Sequence, residues 1–410
     1  MMFRRSGAGA LGRWMIVGAA LSGCSAPERP SAAAGDSAGI TITADTAPVW
    51  AAGHGWMVGE NALVDIGAVE APQTALRLSD GRIVVADARE AGLRYFAPDG
   101  RELYRAGGAG DGPAEIRSLY HLDLGRGDTV AAFDLAQGKG VLFDANGAYA
   151  GAFLVSNSLT PAGSHGFLPK GLAPDGRYLL QRDEAPFPFP GAPGSLHTDS
   201  TKLFWLERAG TFGDSSARLV AGELFGFALT EGNGQQVVVP LARPLAPALR
   251  VVTGPDRVWL GTGATWEVQG LGSTGQVERI IRLPLAVGSL TPALRDTFIR
   301  RYRDQVRRSG GNALQQQFAA GIATAPFAER FPAYGDILAG QDSTLWLLHI
   351  GLTAEGPSIW TVIDPAGRWL GEVTLPAKFR PTAVGHGWVL GIQGDANDRA
   401  RVRVYPLVER

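Results

Sequence analysis

Val84-Val85-Ala86-Asp87 followed by Leu93-Arg94-Tyr95-Phe96-Ala97-Pro98-Asp99-Gly100 aligns without a gap on Ala131-Ala132-Phe133-Asp134 followed by Gly140-Val141-Leu142-Phe143-Asp144-Ala145-Asn146-Gly147. In each copy a Phe follows the Asp by nine positions and a Gly follows it by thirteen, and the copies lie 47 residues apart. Short β-branched and aromatic runs supply strands. Asp-Gly and Asn-Gly supply the positive φ that tight hairpins need.

Weaker copies extend the pattern. Ala173-Pro174-Asp175-Gly176-Arg177 echoes Leu78-Ser79-Asp80-Gly81-Arg82. Thr253 to Leu260, Ala339 to Leu347, Asp364 to Arg368 and Gly385 to Leu390 repeat the turn-then-strand order. A period of this length fits one four-stranded blade of a propeller. The fold class is therefore all-β: a six-bladed β-propeller over residues 48–410, with a seven-bladed ring or a pair of sandwiches as alternatives. Val49–Val64 is expected to add a strand to the last blade and close the ring, which removes an open edge.

Composition agrees. The 410 residues are 45% hydrophobic and 19% charged, with a formal charge of -1. That apolar content excludes a disordered tail, and the lack of a basic excess argues against nucleic acid as a partner. Gly numbers 56 without a three-residue period, so collagen is excluded and turn-rich β structure is favoured.

Arg4, Arg5 and Arg13 precede an apolar run from Trp14 to Leu21. This run is shorter than the roughly 20 residues of a membrane-spanning helix and reads as a signal h-region. It ends in Leu21-Ser22-Gly23-Cys24, which resembles the lipobox of bacterial lipoproteins, and Cys24 is the only cysteine. The resemblance implies a signal peptide over 1–23 and a mature N-terminus at Cys24, lipidated with fatty acid such as palmitate. Removal of 1–23 makes the formal charge three more negative, because three Arg leave and no acid does. Ser25, rather than Asp, implies the outer membrane. Residues 24–47, rich in Ala, Ser, Pro and Gly, read as a flexible tether.

Ile83–Asp87, Leu93–Gly100 and the loop Gly107-Gly108-Ala109-Gly110-Asp111-Gly112-Pro113-Ala114-Glu115-Ile116 look like an NHL-type repeat. The whole chain resembles the bacterial six-bladed β-propeller lipoproteins of uncharacterised function. The loop lacks the following helix that a phosphate loop needs, so it reads as a turn between blades.

One segment breaks the β pattern. Thr291-Pro292 is a helix start, Leu294, Phe298, Tyr302 and Val306 form one apolar stripe, and Gly310-Gly311 is a stop. A helix is expected at about 290–311, its outer face carrying Arg295, Arg300, Arg301, Arg303, Arg307 and Arg308. It caps the propeller as a solvated face or offers a patch to anionic headgroups. The Pro- and Phe-rich stretch 183–200 reads as a long surface loop.

Candidate chemistry is sparse. Asp87 and Asp134 occupy equivalent repeat positions, which suits a loop-capping role through backbone amides or a carboxylate ring that holds a divalent cation. His54, His165 and His386 each sit in a His-Gly-aromatic triplet; on innermost strands, their imidazoles would reach the channel and could hold a metal. There is no Gly-x-Ser-x-Gly elbow, His-Glu-x-x-His, Cys cluster or P-loop. The leading expectation is a ligand- or protein-binding scaffold, lipid-anchored outside the cytoplasm, whose partner is an envelope protein, a peptide or a glycan. The alternative is a metal-dependent, lactonase-like hydrolase or lyase with its site at the central channel.

Overall fold

The computed structural model describes residues 33–409, except 38, 51–53, 68, 156–166, 184–188, 208–209, 351–355 and 396–398. The chain divides into two units, Met1–Ser31 and Ala32–Arg410. The second is mostly β and propeller-like. Its strands sort into six sheets among the described residues.

The quoted repeats explain the first two sheets. Pro72–Arg77, Ile83–Asp87, Gly92–Phe96 and Glu102–Gly107 form one antiparallel meander; Leu119–Leu124, Val130–Asp134, Lys139–Phe143 and Tyr149–Leu154 form the next. Gly100 and Gly147 turn the equivalent hairpins at φ +88° and +76°, a region that costs glycine nothing. The fifth sheet repeats the plan with Ile337–Ala339, Leu345–Leu348, Ser358–Ile363 and Trp369–Leu375.

The inner strands are Pro72–Arg77, Leu119–Leu124, Phe167–Leu172, Arg250–Thr253, Ile337–Ala339 and Phe379–Gly385. Each lies beside the next, and the last returns to the first. An apolar cluster fills every gap between neighbouring sheets. Val84, Leu93 and Tyr95 of the first sheet meet Leu122, Val130 and Val141 of the second. Ile83, Val85 and Phe96 meet Leu390, Val402 and Val404 of the sixth across the closing seam. The twisted sheets thus bury both faces against each other.

Closure uses the N-terminal segment. Trp56–Val58 and Val64–Ile66 both pair antiparallel with Ala400–Glu409 of the sixth sheet. The preceding residues differ from a continuous tether. Ile40–Ala44 pairs in parallel with Val277–Arg282, the outer strand of the fourth sheet, and Ala33–Ser37 pairs with Ile40–Ala44. The alternating Ile40-Thr41-Ile42-Thr43 is the local cause, since β-branched residues suit a pleated edge. Asp45 then accepts from Trp369 N, and Val49 and Trp50 donate from their backbone to Trp369 and Leu370 of the fifth sheet. The segment therefore runs across the outer edges of the fourth, fifth and sixth sheets in turn.

The stretch 183–200 is expected as a loop, but its end is strand. Leu196–Leu206 is an eleven-residue strand of the third sheet, with Asp199, Thr201, Leu203 and Trp205 buried on alternate positions. Leu219–Thr230 and Gln236–Ala242 extend that sheet outward. The expected helix, α1, is Pro292–Ser309; the Thr291 side chain accepts from Leu294 N, and Gly310 ends it at φ +69°. A second helix, α2 at Ala313–Gly321, was not foreseen; Asn312 and Gln315 cap it reciprocally. Phe318 of α2 packs on Tyr302 of α1 and on Phe225 and Phe227 of the third sheet. Among the described residues no helix is long and apolar enough to cross a membrane.

The outer strap is testable. Trp50 packs against Trp56 in a tilted pair at 5.5 Å between centroids, and a Cβ at Gly371 would lie 2.5 Å from its ring. Trp50→Ala is expected to cost about 2–3 kcal/mol, below the full value for a core Trp because this ring is half-buried. Gly371→Ala should then cost less in the Trp50→Ala background than alone, since the clash has gone. Denaturant melts of the double-mutant cycle measure both effects.

Candidate functional site

The six inner strands enclose a cavity of about 590 Å³ along the ring axis. Residues of every sheet line it, among them Gln73, His121, Lys170, Thr253, Gln341 and Arg380. That volume suits a small-molecule ligand.

Four of the six inner strands carry a register break that leaves one residue unpaired. In the first, Pro72 pairs Asp87 and Thr74 pairs Ala86, which leaves Gln73. In the second, Tyr120 falls between the partners of Phe133 and Asp134. In the third, Lys170 lies between Pro169 and Gly171, and in the sixth, Thr382 lies between Pro381 and Ala383. All four bulged residues line the cavity. A bulge re-aims a side chain that regular pleating would send between the sheets. Three of the four follow a proline, which has no N–H for the ladder and is tolerated at bulges. Gly171 completes the third bulge at φ +129°.

Asp123 ties three sheets together at the cavity wall. Its Oδ2 accepts from the Leu172 backbone N–H and, at 3.2 Å, from the Thr253 hydroxyl. A Cβ on Gly171 would lie 2.3 Å from Asp123 Oδ2 and 2.4 Å from Thr253 Oγ1, so only glycine permits this clasp. Burial pushes the Asp123 carboxyl up to about 6, against the lowering effect of these donors. Two residues earlier on the same strand, burial, with a smaller contribution from Lys170, pushes the His121 imidazole down to about 4. Burial and the nearby Arg250 guanidinium lower Lys170, while Asp336 acts the other way. Asp128, also on the lining, is engaged by the backbone and hydroxyl of Ser79.

Of the residues singled out from sequence, Asp87, Asp134, His54 and His386 sit elsewhere. Asp134 is fully buried, and its carboxylate accepts four backbone N–H groups, from Arg117, Ser118, Ala136 and Gln137. Asp87 accepts from Arg89 N and faces Arg94 at 3.7 Å. Each therefore caps the loops of its own sheet. His54 precedes Trp56–Val58, an outer strand, and His386 is exposed in the turn between Phe379–Gly385 and Trp388–Gly394. Neither begins an innermost strand, because the glycine that follows each serves a turn or an edge. His165 and Cys24 lie outside the described residues. Among the described residues no three His, Cys, Asp or Glu side chains converge as metal ligands.

The basic helix face is partly used up internally. Arg303 donates to the carbonyls of Ala319 and Ala320, near the end of α2, and Arg295 donates to Ala323 and lies over the Phe327 ring. Arg307 pairs with Asp304 one turn away.

No family model and no curated protein matches the chain. Solved structures resemble it weakly. One is a protein of Bacteroides fragilis thought to be exported, 11% identical over 90% of this chain and 99% of that one, with a TM-score of 0.46. A DUF4221 family member from Bacteroides vulgatus is 7% identical over 87% and 98%, at 0.45. Virginiamycin B lyase from Staphylococcus aureus is 9% identical over 87% and 99%, at 0.40.

The two opposed titrations at the cavity give a pH prediction. The Asp123 carboxyl has a folded pKa near 6 against 3.8 when unfolded, so its ionisation costs stability progressively as pH rises from about 4 to about 6. His121 does the reverse over an overlapping window, costing stability as pH falls from about 6.5 towards 4. Asp123→Asn removes only the first effect. The melting temperature of the variant, relative to the parent, should climb between pH 4 and pH 6 and level off above it.

Proposed function

We propose that this chain is a lipid-anchored, extracytoplasmic six-bladed β-propeller of the NHL-like kind that binds a ligand in its central cavity. The four bulges carry the reading. An inner strand gains no stability from an unpaired residue, yet in four sheets that residue is polar or aromatic and faces one cavity. Tyr120, 48% exposed, offers an aromatic face of the sort that stacks on sugar or peptide groups. The anchor rests on Leu21-Ser22-Gly23-Cys24, and the outer-membrane assignment on Ser25. Ile40–Ala44 on the fourth sheet would fix where the tether leaves the ring.

Native mass spectrometry of the full-length, detergent-purified protein tests the cavity. A retained small molecule that is lost in Gln73→Trp, which fills the cavity, supports the reading; identical spectra would sink it. For the anchor, Cys24→Ser should move the protein from the membrane fraction to the soluble one and abolish incorporation of labelled palmitate.

The second reading is a hydrolase or lyase with a divalent cation in the channel. Asp123 and His121 favour it, because titratable groups displaced by burial beside a cavity are common in active sites. Asp123 Oδ2 is already committed to Leu172 and Thr253, which weighs towards binding. Metal analysis of the same preparation separates the two: a stoichiometric divalent ion favours the enzyme, and its absence the binder.

A further inference from the structure

We propose that the ligand of the central cavity carries an oxyanion group, a carboxylate or a phosphate, and that this group seats against Lys170. The inference rests on the cavity being the ligand site and names the chemistry it selects.

Among the described residues, one basic side chain at the cavity lacks a hydrogen-bond acceptor. The cavity lining holds two carboxylates and three basic side chains. Both carboxylates are occupied: Asp123 by the Leu172 amide and Thr253 hydroxyl, Asp128 by the Ser79 amide and hydroxyl. Of the cations, Arg380 spends one nitrogen on the Gln73 carbonyl, which is neutral. Arg126 is exposed at the turn that follows its strand. Lys170 has neither a hydrogen bond nor an ion pair among the described residues. Its neighbour His121 is held neutral by burial and adds no charge of its own. Arg250, close enough to act on the Lys170 ammonium, donates only to carbonyls, those of Gly335 and Leu249. Asp336 offsets part of this charge, but burial and Arg250 still leave the ammonium disfavoured.

A half-buried ammonium without a hydrogen-bond acceptor is costly. Here a bulge after Pro169 and an obligatory Gly171 hold it at the cavity. A solvated surface would accommodate a lysine without either device. An oxyanion supplies the missing acceptor, and the hydrogen bond it makes is charge-assisted. Leu76, Leu122 and Leu172 in the lining suit an apolar body attached to that group.

Isothermal titration calorimetry of the full-length protein in detergent at low ionic strength tests this, with citrate and inorganic phosphate as probes. Saturable binding of either is expected, weakening with added salt. Stronger citrate binding indicates a carboxylate ligand and stronger phosphate binding a phosphate ester. Lys170→Gln should weaken it by at least about tenfold, the effect of one lost charge-assisted bond. Lys170→Arg should keep most of it, and Arg301→Gln, on the exposed face of α1, should change nothing. The inference is overturned if neither anion binds, or if Lys170→Gln binds as tightly as the parent. An uncharged compound retained in native spectra alongside either result would leave the cavity as the ligand site and refute only the oxyanion. Anion binding that survives Gln73→Trp would place the anion outside the cavity and overturn both.

Discussion

A four-stranded twisted sheet has two apolar faces and cannot stand alone in water. That constraint governs this chain. Each sheet needs a neighbour on both sides, so the row has to close, and the seam between the first and sixth sheets is where closure is enforced. Ile83, Val85 and Phe96 on one side meet Leu390, Val402 and Val404 on the other. Polar staples reinforce the seam: Arg380 donates to the Gln73 carbonyl and Thr382 to that of Ala75. The N-terminal strand on Ala400–Glu409 then joins the two ends of the chain in one sheet. The ladder there is completed by residues more than 300 positions apart, so loss of either end opens the ring.

Closure creates the site. Once the inner strands stand around an axis, their outer edges are paired and their inner edges face a common space. Regular pleating would send side chains to the sheet faces, into the apolar clusters. Bulges at Gln73, Tyr120, Lys170 and Thr382 divert four of them to the axis. The prolines at 72, 169 and 381 can sit there because an inner strand has one edge without a partner strand. The stability of the ring and the chemistry of its centre therefore draw on the same backbone feature, the free inner edge.

Much of the fold was legible because it repeats. The Asp-to-Phe and Asp-to-Gly spacings of the first two sheets, the turn-strand echoes and the Thr291-Pro292 helix start are local signals, and local physics produces them. The outer strap was missed because Ala33–Ser37 looks like linker, and Ile40–Ala44 becomes a strand only against Val277–Arg282. The second helix was missed because Ala313–Gly321 has little apolar periodicity and relies on its caps and on Phe318. The cavity drew no notice in the sequence for a related reason. Repetition drew attention to Asp87 and Asp134, and repetition marks what every blade needs, which is loop capping. The cavity residues differ from blade to blade. Pro-Gln, Pro-Lys and Pro-Thr at 72–73, 169–170 and 381–382 were the available signal, a shared proline followed by a variable polar residue.

The same distinction separates the two kinds of charge in the molecule. Asp134, with four amides, and Arg303, with two carbonyls, have their hydrogen-bonding capacity met by backbone. Such groups report on architecture whatever their position in the sequence. At the axis the acids are satisfied in this way and Lys170 is not. The clasp that satisfies Asp123 also forces Gly171 and brings Leu172 and Thr253 to the wall, so it helps shape the bulge that presents Lys170. Asp123 spends its Oδ2 on Leu172 and Thr253 and makes no hydrogen bond to Lys170. The structural role of Asp123 is therefore to help place Lys170 at the cavity without serving as its acceptor.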